Sequence, residues 1–330
     1  MIQNIAIVRL SALGDIVNSA FVIQFIHTHY PKAKITWIAE EVFSPILSIV
    51  PHVERIQPIN LKQLKKNKSF QELKHTISTL GTLGDFDLVI DMQGLIKSAI
   101  VARLISKNTH GFDKNSLREG LAALLYKTTT TIPYESNVVL RNAKIISDAL
   151  SIEISKEMIE QKQPVFSPLS LPTLQSEKPN VAFVIGASWE SKKYPKEKLV
   201  DVISALDIQA HIIWGSQSEK KEAEFITSRC KNAFLAPKMS LEELVGFISA
   251  SDLTIGNDTG PTHIAWAQNK PSITLFGPTN ERMIFETPQN IAIHSSSHVN
   301  ILKIDKNDFS IHDIDPQLII SKAKELLNGI

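Results

Sequence analysis

Short apolar runs alternate along this chain with longer stretches in which apolar residues return every three or four positions. The runs at residues 5–10, 35–39, 55–59 and 88–91 are rich in Ile, Val and Leu. Their apolar bias suits strands buried within a sheet, and the amphipathic stretches between them suit helices that cover it. Such alternation predicts a parallel, doubly wound α/β sheet. A second series, at 181–185, 211–214, 233–235, 253–255 and 272–276, repeats the pattern without any repeat in sequence. Between the two, residues 161–180 hold Pro164, Pro168, Pro172 and Pro179 among Ser, Gln and Lys, a composition that interrupts regular structure. The expected organisation is a first domain over 1–165, a linker over 166–180, a second domain over 181–312 and a terminal segment over 313–330. In that segment Leu318, Ile319, Ala323, Leu326 and Leu327 stand at helical spacing and are expected to pack back on the first domain.

A length of 330 residues accommodates two hydrophobic cores. The net charge of +1 argues against a general nucleic-acid binder. No apolar run approaches the roughly 20 residues that cross a bilayer. The N-terminal run is broken at Arg9, too early for a signal-peptide core, so it reads as the first strand. A cytosolic or peripheral protein is expected. Cys230 is the single cysteine, which excludes an intramolecular disulfide and a thiolate zinc cage and leaves a packing role.

Open α/β sheets bind ligands at the carboxyl ends of their strands, so the corners that follow the strands carry the candidate chemistry. The most informative is Gly-Asn-Asp-Thr-Gly-Pro-Thr-His-Ile-Ala-Trp at 256–266. Pro261 suits the first turn of a helix, which places Asp258, Thr259 and Gly260 at its cap. Unpaired N–H groups and the positive end of the helix dipole favour a phosphate there, and His263 lies one turn further on. The plainer reading is a good cap followed by a core histidine. After the first strand, Arg9-Leu-Ser-Ala-Leu-Gly-Asp15 makes another strand-to-helix corner. It lacks the further glycines of a dinucleotide fingerprint and the lysine of a P-loop. Asp15 reads either as a helix cap or as a general base. In the second half, Ser188 and Lys192 are placed to meet phosphate oxygens, although a lysine pair before a helix also suits solvent. Glu219 suits sugar hydroxyls or the helix dipole, and Met239 suits the flat face of a base or simple packing. Asp85 with Asp87, and Asp313 with Asp315, have the Asp-x-Asp form of metal sites but precede a strand and a helix, so no metal site is expected. Together the corners suggest a nucleoside diphosphate site.

Four segments then carry a resemblance: Arg-Leu-Ser-Ala-Leu-Gly-Asp at 9–15, Asp-Met-Gln-Gly-Leu-Ile-Lys at 91–97, Lys-Met-Ser-Leu at 238–241 and Asp-Thr-Gly-Pro-Thr-His at 258–263. They resemble the bacterial lipopolysaccharide heptosyltransferases, most closely the type I branch, and the likeness runs from the first strand through Phe276-Gly-Pro-Thr279. It implies a GT-B architecture, two facing Rossmann-like domains with a cleft between them. It implies inverting transfer of L-glycero-D-manno-heptose from ADP-heptose to the Kdo residue of Kdo-lipid A, without cofactor or metal. The work would be done in the cytoplasm, in peripheral contact with the inner membrane.

Position by position, the resemblance puts the catalytic base on Asp15 and the phosphate lysine on Lys192. Donor binding falls on Ala187, Ser188, Lys192, Glu219, Met239, Asp258, Thr259, Gly260 and His263, with Glu222 the alternative to Glu219. Ala187 stands where the family has a threonine, so one hydroxyl is missing. Acceptor binding falls on Ser11, Gln93, Lys97 and Arg118, and on Lys62, Lys65 and Lys66 of a lysine-rich loop over 60–68. Arginines are expected in that loop, and lysine meets a phosphate as a point charge, not as a bidentate fork. Asn137 stands where a histidine is expected. Two alternatives stay open: a type II enzyme that adds heptose to heptose, and a nucleotide-sugar binding module without turnover. Asp15 together with Lys192 disfavours the module, since binding alone needs no base.

Overall fold

A computed structural model of the protein describes residues 2–67, 69–174 and 176–329, the Lys65 side chain excepted. The chain divides into two compact units, Met1–Ser167 and Pro168–Ile330. The division falls inside the proline-bearing segment. Val165 and Phe166 are buried, and the Ser167 N–H donates to Ile49 O at 2.8 Å, so the first unit runs slightly past residue 165.

The first unit holds strands β1 (Asn4–Val8), β2 (Lys34–Glu40), β3 (Val53–Ile59), β4 (Leu88–Asp91), β5 (Thr109–Phe112) and β6 (Thr128–Thr130). They form one parallel sheet in the order β3-β2-β1-β4-β5-β6. The second unit holds β7 (Asn180–Val184), β8 (Gln209–Ile213), β9 (Ala233–Leu235), β10 (Leu253–Asn257), β11 (Ser272–Phe276) and β12 (Asn290–His294). Its parallel sheet has the order β12-β11-β10-β7-β8-β9. Read from the other edge, this is the order of the first sheet again. In each unit the sheet grows first one way and then the other from its first strand, so the switch points lie between β1 and β4 and between β7 and β10. At a switch point the crossing helices leave to opposite faces, which opens a crevice at the carboxyl ends.

Residues of β1, β4, β7 and β10 are buried almost throughout, as strands covered on both faces require. In the second unit Val181, Phe183, Ile255 and Ile273 share one core with Ile319, Ile320 and Ala323 of helix Pro316–Asn328. The terminal helix therefore belongs to the second unit. Its apolar stripe was expected on the first domain, and it is already occupied by the sheet it follows. Asp315 caps this helix, accepting from Gln317 N–H at 2.9 Å, and Asp87 accepts from the N–H groups of Gln3 and Asn4 at 2.7 and 2.9 Å. One aspartate of each Asp-x-Asp pair thus has a backbone role. Three strands, β5, β6 and β12, stand outside the apolar pattern. β5 and β6 are polar and are joined through side chains, His110 bonding Thr128 Oγ1 at 2.8 Å and Thr130 Oγ1 at 2.9 Å.

The second switch point is tight. A Cβ on Gly256 would lie 2.6 Å from Val184 Cβ and 2.7 Å from Val184 O, on the neighbouring strand. Gly256→Ala is expected to destabilise the protein by about 1–3 kcal/mol, because the obstacle is backbone and cannot swing aside. Urea unfolding would read this, and an unchanged midpoint would show that β7 and β10 can part without cost.

Candidate functional site

At the first switch point, the corner after β1 is tied to the corner after β4. Leu10 N–H donates to Gln93 Oε1 at 2.9 Å, and Arg9 Nη1 donates to Met92 O. Asp91, at the end of β4, accepts from the N–H groups of Gln93 and Gly94 at 2.8 and 3.2 Å and from Tyr126 Oη at 2.7 Å. Burial raises its carboxyl above the usual range, against the hydrogen bonds from Tyr126 and Ser98 that favour its charge. Asp91 is therefore a structural pin for the corner.

Asp15 is the third residue of helix Leu13–Ala20. Its Oδ1 lies 2.8 Å from Arg9 Nη2, and its Oδ2 accepts from Ala12 N–H at 3.0 Å. The side chain keeps 28% of its surface open. A carboxylate has about four lone-pair sites, so two fixed bonds leave room for a substrate proton. The cap and the accessible carboxylate, alternatives in the sequence, coexist in one residue.

Around this corner Ser11 and Gln93 are half-buried, and Lys97 and Arg118 are exposed. Gln93 spends its carbonyl on Leu10, which leaves its amide NH₂. Arg118 Nη2 lies 3.9 Å from Glu119 Oε1. The expected lysine-rich loop is mostly helix, Leu61–Asn67, with Lys62 and Lys66 exposed. The Lys65 side chain and Lys68 lie outside the described residues. Asn137 caps helix Val138–Leu150 by accepting from Val139 N–H at 2.9 Å.

The second switch point is more closed. Lys192 Nζ lies 2.7 Å from Asp258 Oδ2, which also accepts from Thr279 Oγ1 at 2.8 Å. Asp258 Oδ1 lies 3.0 Å from His263 Nε2. The Lys192 and Asp258 side chains are only 8% and 5% exposed. Burial alone would raise the Asp258 carboxyl, but the Lys192 ammonium and the His263 hydrogen bond outweigh it and hold the carboxyl well below the usual range. Beside this network Thr259 caps helix Gly260–Ala267 without a side-chain bond, leaving its Oγ1 buried and unpartnered. Trp189 Nε1 and Ser191 Oγ, in the corner after β7, are likewise buried without partners. Polar atoms left unmatched in the two corners of one switch point are what a polar ligand would satisfy. The first-turn N–H groups of the helix add an anion preference.

Glu219 belongs to a capping box with Ser216, its Oε2 accepting from the N–H groups of Gly215 and Ser216 at 2.7 and 3.0 Å. A Cβ on Gly186 would come within 2.6 Å of Glu219 Oε1, so the carboxylate lies directly against the corner after β7. Glu222 is instead held by Lys193 Nζ at 3.0 Å. Glu219 thus lies against the corner after β7, and Glu222 is engaged by a lysine. Ser188 is exposed, and Ala187 and Met239 are half-buried. Cys230 is buried, its Sγ donating to Val200 O at 3.7 Å. Among the described residues no group of three or more His, Cys, Asp or Glu side chains is gathered as metal ligands.

Residues 78–309 match glycosyltransferase family 9 (heptosyltransferase). The chain belongs to this family. Lipopolysaccharide heptosyltransferase 1 of Campylobacter coli is 38% identical over 343 residues, covering 98% of this chain and 99% of that relative. Lipopolysaccharide heptosyltransferase 1 of Escherichia coli K12 is 26% identical over 316 residues, covering 92% and 96%. The structure of E. coli heptosyltransferase WaaC with ADP-2-deoxy-2-fluoro heptose has a TM-score of 0.81 at 23% identity and covers 98% of this chain and 99% of its own. The protein is a glycosyltransferase of the GT-B fold class, built from two doubly wound units.

Several residues of this family 9 glycosyltransferase escaped the sequence reading. Arg9, quoted only as the start of a motif, holds Asp15. Thr279 is the third support of Asp258. Asn257 bridges the corners, donating to Ile185 O at 2.9 Å and accepting from Tyr194 N–H at 3.0 Å. Glu40, at the end of β2, is 2% exposed with its Oε1 unpartnered, and burial raises its carboxyl against the attraction of Lys97 and Lys62. The signal for Glu40 was present, since a charged residue closes an apolar run at the same edge as Asp15.

Proposed function

We propose that this glycosyltransferase moves L-glycero-D-manno-heptose from ADP-heptose to the Kdo residue of Kdo-lipid A in the lipopolysaccharide inner core. The observation that carries the reading is the buried Lys192–Asp258 pair beside the start of helix Gly260–Ala267. This is an anion seat, and it stands in a chain whose full-length relative is a lipopolysaccharide heptosyltransferase 1. The ADP diphosphate meets Lys192, Ser188 and the N–H groups of Thr259 and Gly260. Asp258 and His263 act by fixing the lysine. Glu219 receives ligand hydroxyls, Met239 lies along the adenine, and Ala187 contributes backbone only.

Asp15 takes the proton of the attacking Kdo hydroxyl, held in orientation by Arg9. The new C–O bond forms at the anomeric carbon of heptose as its bond to the phosphate oxygen breaks. The electron pair leaves with ADP, and attack from the opposite face inverts the centre. Lys192 and the helix start take up the charge that develops on the departing diphosphate. Lys62, Lys66, Lys97 and Arg118 face acceptor phosphates, with Ser11 and the Gln93 amide on the Kdo sugar. Among the described residues no helix is long and apolar enough to cross a membrane, so the contact with the inner membrane is peripheral in this reading.

Incubation with ADP-heptose and Kdo-lipid A should add the mass of one heptose to the acceptor. Release of ADP without that gain would indicate hydrolysis, and a gain only on an acceptor that already carries heptose would favour the type II reading. Because lysine and helix charge already face the diphosphate, transfer should persist in excess EDTA. Loss of transfer that magnesium restores would overturn that part of the scheme.

A further inference from the structure

Three segments of the first unit pack side by side over its sheet: helices Phe70–Gly81 and Ile96–Ile105 and the short turn Gly120–Leu125. Their inner residues, among them Leu80, Val101, Ala102 and Ala122, enter the core. Their outer residues are apolar as well. On the first helix Phe70, Leu73 and Ile77 form an exposed stripe, with Phe70 78% open, and Leu80 is the residue the helix buries. On the second, Ile96, Ile100 and Leu104 recur every fourth position and are all exposed. On the turn, Leu121 and Leu124 are 70% and 81% exposed. A surface helix normally turns polar residues to water. Three adjacent elements with an apolar stripe on each side mark an interaction surface.

Charge selects the partner. Helix Ile96–Ile105 carries Lys97 and Arg103 and no acidic residue; helix Phe70–Gly81 carries Lys74 and one acidic residue, Glu72, whose carboxylate accepts from Asn67 Nδ2; and the neighbouring helix Leu61–Asn67 carries Lys62 and Lys66 and no acidic residue. A groove of about 570 Å³ beside Leu121 and Leu124 has Lys114 on its wall. Asp113, also in that groove, is engaged by Ser116 and Thr131. A second copy on a two-fold axis would set these cations against themselves. Anionic phospholipid headgroups over acyl chains match both the cations and the apolar stripes.

We propose that this helical layer docks the protein on an anionic phospholipid bilayer, with the leucines of the turn and the outer stripes of the two helices entering the interface. The inference deepens the peripheral contact proposed above and rests on that reading for the choice of membrane. It assigns that contact to a whole face of the first unit. The layer begins at the corner that carries Gln93 and Lys97, so a lipid-anchored acceptor would rise beside Asp15.

The full-length protein should co-sediment with phosphatidylcholine vesicles that contain phosphatidylglycerol and far less with pure phosphatidylcholine. Leu121→Asp with Leu124→Asp should lower that partition by roughly tenfold for each leucine removed. Thermal unfolding and transfer to a deacylated, soluble acceptor should be unchanged in the same variant. Leu124→Trp provides an independent readout, since its fluorescence should shift to the blue when the vesicles are added. Partition unaffected by the aspartates, or no blue shift, would overturn the docking surface. So would loss of a dimer in the aspartate variant, which would assign the face to a second copy. Vesicle binding without heptosyl transfer would count against the enzymatic reading and leave the surface standing.

Discussion

Asp15→Asn should lower heptosyl transfer by about 10²–10⁴-fold, the usual contribution of a positioned general base, and leave ADP affinity unchanged. Asparagine keeps the size of the side chain, and its carbonyl can still accept the Ala12 N–H that Asp15 Oδ2 accepts at 3.0 Å. It cannot take a proton from a hydroxyl. It also leaves the buried Arg9 guanidinium without its carboxylate, now 2.8 Å away, so a stability loss of about 1–3 kcal/mol should accompany the kinetic one. The two effects separate experimentally, because the assay temperature can be set well below the lowered unfolding midpoint. Calorimetry should give the wild-type affinity for ADP, whose proposed seat is built from residues of the second unit. Turnover near the wild-type rate would remove Asp15 as the base. Loss of ADP affinity together with turnover would point to a wider collapse.

Apolar runs revealed the central strands because those strands are buried on both faces and are built mostly from Ile, Val, Leu, Phe and Ala. The same logic hid β5 and β6, whose Thr-His-Gly-Phe and Thr-Thr-Thr segments hold together by side-chain hydrogen bonds that no hydropathy pattern shows. The terminal helix was legible as a helix but not in its docking, since an apolar stripe states that it will be covered and not by what. Asp258 and His263 were legible through one motif and Lys192 through another; what the sequence did not show is that the three meet, Lys192 Nζ and His263 Nε2 each lying against an oxygen of Asp258. Arg9 and Thr279 carried no local signal, because their importance comes from pairing with residues brought close by the fold.

Lys192→Ala should weaken ADP binding by about 2 kcal/mol or more, roughly thirtyfold in Kd, because it removes the cation proposed to pair with the diphosphate. It should also destabilise the second unit by about 3–5 kcal/mol, since Asp258 would keep its charge in a buried site with only Thr279 and His263 beside it. Asp258→Asn should cost a similar amount by stranding the ammonium of Lys192. The double change, Lys192→Met with Asp258→Asn, removes both charges and should be more stable than either single variant while still failing to bind ADP. The pH profile gives a further check. The Asp258 carboxyl is depressed in the folded protein, so its stabilising effect is complete above the usual aspartate range and is lost as the pH falls below it. The unfolding midpoint of the wild type should therefore fall on acidification more steeply than that of Asp258→Asn. Wild-type ADP affinity in Lys192→Ala would remove the lysine from the phosphate seat, and a double variant no more stable than the singles would show that the two charges do not support each other.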